Sequence, residues 1–486
     1  MVLPQEMRAF LVQAPQVIAG KSIIWLPTST QVTSGGQISI ELPQVHGLDT
    51  RSCHLVGDVS VAGSGTGASA CCLPRGGVTA LFDSIQVTAN NKQIGGANCP
   101  FHNVLSTMLQ DWTAGVQDQG KCSVYHGGAD VPAVSGNTAT NFVGSYDSFG
   151  SYSPTPVKAY DDVATSPYTA AQQGALIQGY NNIASTTGIP ANGLPFSCNM
   201  LGSFLGTVEP SILPTYLMGR VNLVITLAQP GVLVQGSTPS TTPQFKVGNL
   251  RLVCNTYNFG DLYAEAQKAY LESGEVMECP FTQYYAQSGP PSLTFDQQLN
   301  FSVGASSIDG LFACFLDFDF RNGAPVNTMT NNSQAVTMGR GDLLRHFQWQ
   351  INGSSFPSRP VTAHDLYSQN EADLNLMGMG KGLYKNINSS RNWLQGFFAI
   401  LTATNLPIAE APGRVQTGYS TLGQNAALAL TITADQTAVA AYQAASGNMP
   451  STGKPYANYV KNQPIIFIKT TAVMVLGAGA SIDVIP

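Results

Sequence analysis

Two stretches of this 486-residue chain, about half its length apart, read as the same supersecondary unit. In the first, Phe82–Ala89 is a strand, Asn90-Asn91-Lys92-Gln93 a turn and Ile94 the start of a short return, and a helix follows from Pro100. In the second, His346–Ile351 is a strand, Asn352-Gly353 a type I′ turn signal and Ser355-Phe356 the return, and a helix follows from Thr362. Asn and Gly tolerate the positive φ that a two-residue hairpin turn demands, so each pattern reads as a hairpin followed by a helix. A unit repeated at this separation implies two copies of one fold, with the boundary near Gly274–Gln287.

The rest of the chain supports an all-β reading. Short stretches with strand character recur between Gly, Pro and Asn clusters: Ser22–Leu26, Gln37–Leu42, His54–Val61, Ser84–Ala89, Arg220–Leu227 and Asn249–Asn255. That rhythm is what an antiparallel sandwich or barrel produces. In Phe315–Arg321, alternation places Phe315, Asp317, Asp319 and Arg321 on one face and Leu316, Phe318 and Phe320 on the other, so one face is expected to be buried. Helices are few. Pro100–Trp112 carries Phe101, Val104, Leu105, Met108, Leu109 and Trp112 at helical spacing, with Asn98 as cap and Pro100 near the first helical position. A second is expected from Thr362 towards Met377, with Asp365 in a capping-box-like position, and a third, Ala-rich, over about Ala434–Ala445. Between Gly115 and Pro195 the chain turns rich in Gly, Ser, Thr, Tyr, Asn and Pro, a long excursion from a sandwich and a surface-contact candidate.

Composition narrows the function. Charged residues make up only 10% of the chain, against the usual share of about 25%. A chain that lacks charge on this scale is short of solubilising surface, which points to a surface largely committed to neutral polar interfaces. A net charge of -6 and a pI near 5.5, with no Lys/Arg cluster, exclude a basic nucleic-acid grip, so no sequence-specific nucleic-acid binding is expected. The start MVLPQEMRAF lacks the pattern of a secretion signal, and no apolar run is long enough for a membrane span, so synthesis in a cytosol-like compartment is expected. Nine scattered cysteines without zinc or CxxC spacing read as buried free thiols.

Sharper chemical readings each have a plainer rival. Gly63-Ser64-Gly65-Thr66-Gly67 lacks the spacing of a dinucleotide loop, and Gly378-Met379-Gly380-Lys381-Gly382 lacks that of a P-loop; both read as loops. Asp317 and Asp319, with Arg321 next on the same face, read as a charge ladder rather than an acid–base pair. The six histidines, His46, His54, His102, His126, His346 and His364, form no metal or catalytic pattern. Neither a catalytic residue nor a cofactor site is assigned, and the chain is not expected to be an enzyme. Arg340-Gly341-Asp342 matches an integrin-type attachment tripeptide, with chance occurrence ahead of the strand at His346 as its rival. The excursion's Tyr125, Tyr146, Tyr152, Tyr160, Tyr168 and Tyr180 suit a host-receptor surface or, preferably, an ordered contact between copies of the chain.

Several runs resemble a known family. Ile38-Ser39-Ile40-Glu41-Leu42-Pro43 followed by Gly47–Leu55 looks like the opening strands of the double jelly-roll major capsid proteins of tailless icosahedral DNA viruses, with Thr50 where Pro is usual. That group includes internal-membrane phages, adenoviruses, virophages and Polinton-like elements. Phe196–Gly206, Ile212-Leu213-Pro214 and Leu223–Leu227 are similar to the run that ends the family's first jelly roll. Arg345–Gly353 with Phe356-Pro357 and Pro360-Val361 resembles its second-half strand, Asn-Gly turn and proline segment. The likeness runs from about residue 20 to the end, apart from the Gly115–Pro195 excursion.

The resemblance implies two tandem eight-stranded jelly-roll β-sandwiches: an N-terminal arm over 1–19, a first roll over 20–275 with the insertion at about 115–195, and a second roll over 276–486. It further implies a homotrimer whose six rolls make a pseudo-hexagonal capsomer of an icosahedral shell. Penton and minor capsid proteins would be its partners, and the virion its location. Whether an internal membrane lies beneath the shell stays open, as does the arm's role, either an inner-surface tether or a strand added to a neighbour. The competing class is a β-sandwich carbohydrate-binding protein or glycoside-active enzyme, which the scarcity of Trp, four in all, disfavours.

Overall fold

The computed structural model describes residues 19–25, 31–62, 71–72, 77–96, 99–113, 194–199, 202–235, 244–290, 296–317, 327–328, 344–362, 365, 400–404, 418–422, 428–437, 440 and 462–486. Its principal strands form two sets of eight. The first set is β1 (Ala19–Trp25), β2 (Gln37–Glu41), β3 (Gly47–Ala62), β4 (Phe82–Ala89), β5 (Lys92–Gly95), β6 (Leu194–Asn199), β7 (Val221–Leu227) and β8 (Gln244–Asn258). The second is β9 (Met277–Ser288), β10 (Gln297–Phe301), β11 (Ile308–Asp317), β12 (Leu344–Ile351), β13 (Ser354–Thr362), β14 (Ile400–Ala403), β15 (Leu428–Ala434) and β16 (Asn462–Gly477).

The first set forms antiparallel sheets in the orders β1-β8-β3-β6 and β2-β7-β4-β5, and the second set forms β9-β16-β11-β14 and β10-β15-β12-β13. Adding eight to each number of the first pair of sheets yields the second pair. Within each set the first strand pairs with the eighth, the second with the seventh, the third with the sixth and the fourth with the fifth. That nesting is a hairpin ribbon rolled into a sandwich, the jelly roll, and the chain contains it twice.

Local chemistry explains why these residues take these places. Along β7, Val221, Leu223, Ile225 and Leu227 are buried while the residues between them are half-buried, the period-2 pattern of a strand with one face on a core. The β4–β5 turn holds Asn90 at φ 49 and Asn91 at φ 63, and the β12–β13 turn holds Asn352 at φ 50 and Gly353 at φ 78. Both are two-residue turns with positive φ at both central positions, which matches the strands' twist. The registers agree as well: Ala89 faces Lys92 and Thr88 faces Gln93, as Ile351 faces Ser354 and Gln350 faces Ser355.

A second match between the rolls was not evident from the sequence. Thr215 Oγ1 donates to Pro43 O at 2.7 Å and accepts from Val45 N at 3.0 Å. Thr421 Oγ1 donates to Val303 O at 2.6 Å and accepts from Ala305 N at 3.0 Å. In each roll one buried threonine hydroxyl satisfies a carbonyl and an amide two residues apart on the segment leading to the third strand, fully buried in the second roll and half-buried at Val45 in the first.

The helices depart from expectation in detail. The first, α1 (His102–Thr113), starts two residues later than expected, because Phe101 sits at φ 69 with its ring buried and its carbonyl accepts from Val104 N and Leu105 N. Phe101 thus takes the cap position, Pro100 lies outside the helix, and Asn98 falls outside the described residues. The helix is also not one-sided: His102, Asn103, Ser106 and Thr107 are buried along with the apolar stripe, and the two hydroxyls donate to Asn103 O at 3.1 and 2.8 Å. At the second, Thr362 closes β13 and its Oγ1 accepts from Asp365 N at 3.2 Å and donates to Asp365 Oδ2 at 2.8 Å, the expected capping arrangement; the rest lies outside the described residues. The Ala-rich helix does not begin at Ala434, which ends β15; Asp435 accepts from Thr437 N at 3.0 Å and Gln436 is the first helical residue.

Phe315 is buried together with Cys314, so β11 is covered on both faces there, and the proposed charge ladder beyond it, Asp319 and Arg321, lies outside the described residues. The helix α2 (Asp261–Glu272), between β8 and β9, carries little sequence signal, since its buried residues are only Ala264, Gln267 and Leu271. Gly274 at φ 94 follows it. A small three-stranded sheet joins loops of the two halves, with Val234–Gln235 antiparallel to Cys71–Cys72 and parallel to Asn327–Thr328. One hydrophobic core runs through both rolls.

Candidate functional site

The face that the first roll turns towards the second is built on the β4–β5 hairpin and the single helical turn Phe204–Thr207. Lys92 Nζ donates to Ile482 O and to Asp483 Oδ1, both at 2.7 Å, and Asn90 Nδ2 donates to Ala480 O at 3.3 Å. These acceptors lie on the tail that follows β16. Against β9, Glu209 N donates to Pro280 O at 2.9 Å, and Thr207 Oγ1 donates to Thr282 O and accepts from Thr282 N, both at 3.3 Å. Phe204 and Phe281 meet edge to face with centroids 5.0 Å apart, and a Cβ on Gly95 would stand 3.2 Å from Phe204 and 3.6 Å from Phe281. The aromatic pair and backbone bonds carry this junction; an ion pair as exposed as Lys92–Asp483 contributes about 0–1 kcal/mol.

The matching face of the second roll carries exposed apolar side chains among the described residues. Phe356 in β13 faces Trp349 as Gly95 in β5 faces Val87; Gly95 is buried against Phe204 and Phe281, whereas Phe356 is 37% exposed, and Val361 is the only fully buried residue of its strand. Close by, Asn352 Nδ2 in the β12–β13 turn donates to the hydroxyl of Tyr419, whose side chain is 38% exposed. The residue after each clasping threonine differs in the same sense. Tyr216 follows Thr215, donates to Gln267 Oε1 of α2 at 2.7 Å, and stacks edge-on against His46 at 5.2 Å, burial raising its phenol above the ordinary range. Leu422 follows Thr421 and is 45% exposed. Leu262, in the first turn of α2, is 84% exposed. A surface edge strand with apolar side chains is a pairing site that soluble proteins normally cover.

The residues singled out for chemistry do not converge. His54 Nδ1 lies 2.8 Å from Ser52 O, His346 sits half-buried in β12, and His102 is enclosed by α1, where burial lowers its pKa from 6.5 to about 4. His126 and His364, the loops Gly63–Gly67 and Gly378–Gly382, Arg340-Gly341-Asp342 and the excursion's six tyrosines fall outside the described residues. Among the described residues no group of three or more His, Cys, Asp or Glu could hold a metal ion, and no helix is long and apolar enough to cross a membrane. Asp309 is buried, but its carboxylate accepts from Ser307 Oγ at 2.8 Å and Thr471 Oγ1 at 2.6 Å, which ties β11 to β16. Cys53, Cys99, Cys198, Cys254, Cys279 and Cys314 are buried free thiols; burial pushes Cys198, Cys279 and Cys314 up to about 12. Thiols held protonated in this way are poor nucleophiles.

No family model and no curated protein matches the sequence. Solved structures do. The crystal structure of VP54 of PBCV-1, fitted into a reconstruction of the virophage Sputnik, is 12% identical and aligns over 96% of each chain with a TM-score of 0.54. The Sputnik virophage structure determined by cryo-EM is 10% identical over 100% of this chain and 92% of its own, with a TM-score of 0.53. The Faustovirus major capsid protein is 9% identical over 96% and 92%, also with a TM-score of 0.53. With eight strands rolled twice in the same order and a likeness that spans nearly the whole of each chain, this protein has the double jelly-roll fold of viral major capsid proteins.

Proposed function

We propose that this chain is a major capsid protein, a shell-forming block that associates with copies of itself as a homotrimeric, pseudo-hexagonal capsomer of an icosahedral virus particle. One observation carries the reading: the two rolls share one strand order within a chain that matches viral capsid proteins over nearly its full length. Three such chains bring six similar sandwiches into a ring, so one building block can tile a nearly hexagonal lattice. A charged content of 10% supports it, because a surface buried between neighbours is freed from the need for solvating charge. In this account the rolls divide near residues 275–276, the 115–195 excursion makes contacts between copies, the arm is an inner-surface tether or a strand added to a neighbour, and penton and minor capsid proteins complete the particle. Its place is the virion shell and its work is self-association rather than turnover.

Expression of the full chain followed by gradient sedimentation and negative-stain imaging tests this. Capsomer-sized oligomers or closed shells are the expected products. A protein that stays monomeric at every concentration examined, with no particles, refutes it.

A further inference from the structure

Inside one chain, the second roll covers the first roll's hairpin face with two things: its own first strand, β9, through Pro280, Phe281 and Thr282, and the tail after its eighth strand, through Ala480, Ile482 and Asp483. The second roll repeats the receiving parts. It has the same strand–turn–return, with the same register over the two pairs next to the turn, and the same threonine clasp behind it. Nothing in the described chain closes over that face, and Phe356, Tyr419 and Leu422 stand exposed on or beside it.

The first roll repeats the covering parts. The counterpart of β9 is β1, and the counterpart of the tail after β16 is the turn after β8, from Gly260 into α2, where Leu262 is 84% exposed. Six large apolar side chains are exposed among the described residues; Leu262 lies on the first of these faces, Phe356 and Tyr419, whose hydroxyl Asn352 reaches, lie on the second, and Leu422 follows the clasping Thr421. A donor face without an acceptor and an acceptor face without a donor on the same molecule describe a head-to-tail contact.

We infer that the β13 face of the second roll, with Phe356, Tyr419 and Leu422, binds a second copy of this chain through that copy's β1 and its Leu262 turn, repeating between chains the junction that joins the rolls within one. The inference rests on the capsid reading and assigns the surfaces by which its trimer closes. The two faces differ, so the contact is heterologous: each copy uses its Leu262 face once and its Phe356 face once, and three copies exhaust both.

Leu262→Asp and Phe356→Asp test the assignment, each placing a charge on one face only. Both side chains are exposed in the single chain, so the variants should fold, which their circular dichroism and a single unfolding transition check. In sedimentation-velocity runs over a dilution series, each variant alone is expected to need at least tenfold more protein than wild type for half-association. An equimolar mixture of the two retains one unaltered junction, between the intact Phe356 face of the first variant and the intact Leu262 face of the second, and is expected to give a dimer without a trimer. If wild type is trimeric and both variants associate as it does, or if their mixture behaves as each alone, the surface assignment is overturned while the capsid reading stands. A monomeric wild type overturns the capsid reading itself.

Discussion

Replacing Thr421 with valine keeps the side chain's volume and removes its hydroxyl. That hydroxyl is the partner of Val303 O at 2.6 Å and of Ala305 N at 3.0 Å, and all three residues are buried. Each backbone group left without a partner in such a place costs about 1–3 kcal/mol, so Thr421→Val, which strands two, is expected to destabilise the fold by about 2–6 kcal/mol. Thr421→Ser retains the hydroxyl and loses one methyl, a loss of about 1 kcal/mol. Thr215 holds Pro43 O and Val45 N in the same way, but Val45 is only half-buried, so Thr215→Val should cost less than Thr421→Val while Thr215→Ser again costs least. Guanidinium unfolding followed by tryptophan fluorescence measures this, with fully buried Trp349 as a reporter in the second roll. The comparison uses midpoints at unchanged slope. A Thr421→Val protein within about 0.5 kcal/mol of wild type, or a serine variant no better than valine, would refute the view that these hydroxyls hold the strand entries.

Acid sensitivity should trace in part to His102. Its pKa is lowered by burial to about 4 from 6.5, so as pH falls through that window the unfolded chain takes up a proton that the folded one refuses. Stability therefore drops with falling pH by up to about 1.4 kcal/mol per unit, levelling off below the folded pKa; a His102→Gln protein should show a shallower loss in pH-dependent unfolding. In a thiol titration with an aromatic disulfide, the six buried cysteines should stay silent until denaturant is added, so that no more than the remaining three of the nine react in the native protein. Gly96→Ala should lose more than about 1 kcal/mol in the same unfolding assay, because Gly96 lies at φ 83 and a Cβ there would stand 1.9 Å from Ile85 O.

Much of the fold was legible because the sequence spells it locally. Asn90-Asn91 and Asn352-Gly353 each announce a two-residue turn, and alternation along Val221–Leu227 announces a strand. What failed were places where tertiary packing overrides local preference. Phe101 caps α1 because its ring is needed in the core, although its backbone must then adopt a left-handed conformation that asparagine would take more readily. Ala434 and its neighbours have helical composition, but Ala434 completes the ladder opposite Leu344. The helix α2 has only a weak apolar stripe, since a glutamine, Gln267, stands between Ala264 and Leu271 on its inward side. The two contact faces were invisible for a different reason. Phe356 and Leu262 are ordinary apolar residues in the sequence, and only their exposure in the folded chain marks them. The threonine clasp left a trace, an apolar residue two positions before and one after in both Leu213-Pro214-Thr215-Tyr216 and Tyr419-Ser420-Thr421-Leu422, too short to stand out without the structure.

The central claim, that two equivalent rolls per chain close as three chains into a six-roll block, is tested most directly by native mass spectrometry of the purified full chain combined with two-dimensional class averages of the same sample. The account predicts a mass three times the 51.3 kDa of one chain, and a nearly hexagonal outline with true threefold symmetry. A single species at 51.3 kDa, or an oligomer whose averages show only a twofold axis, would contradict it.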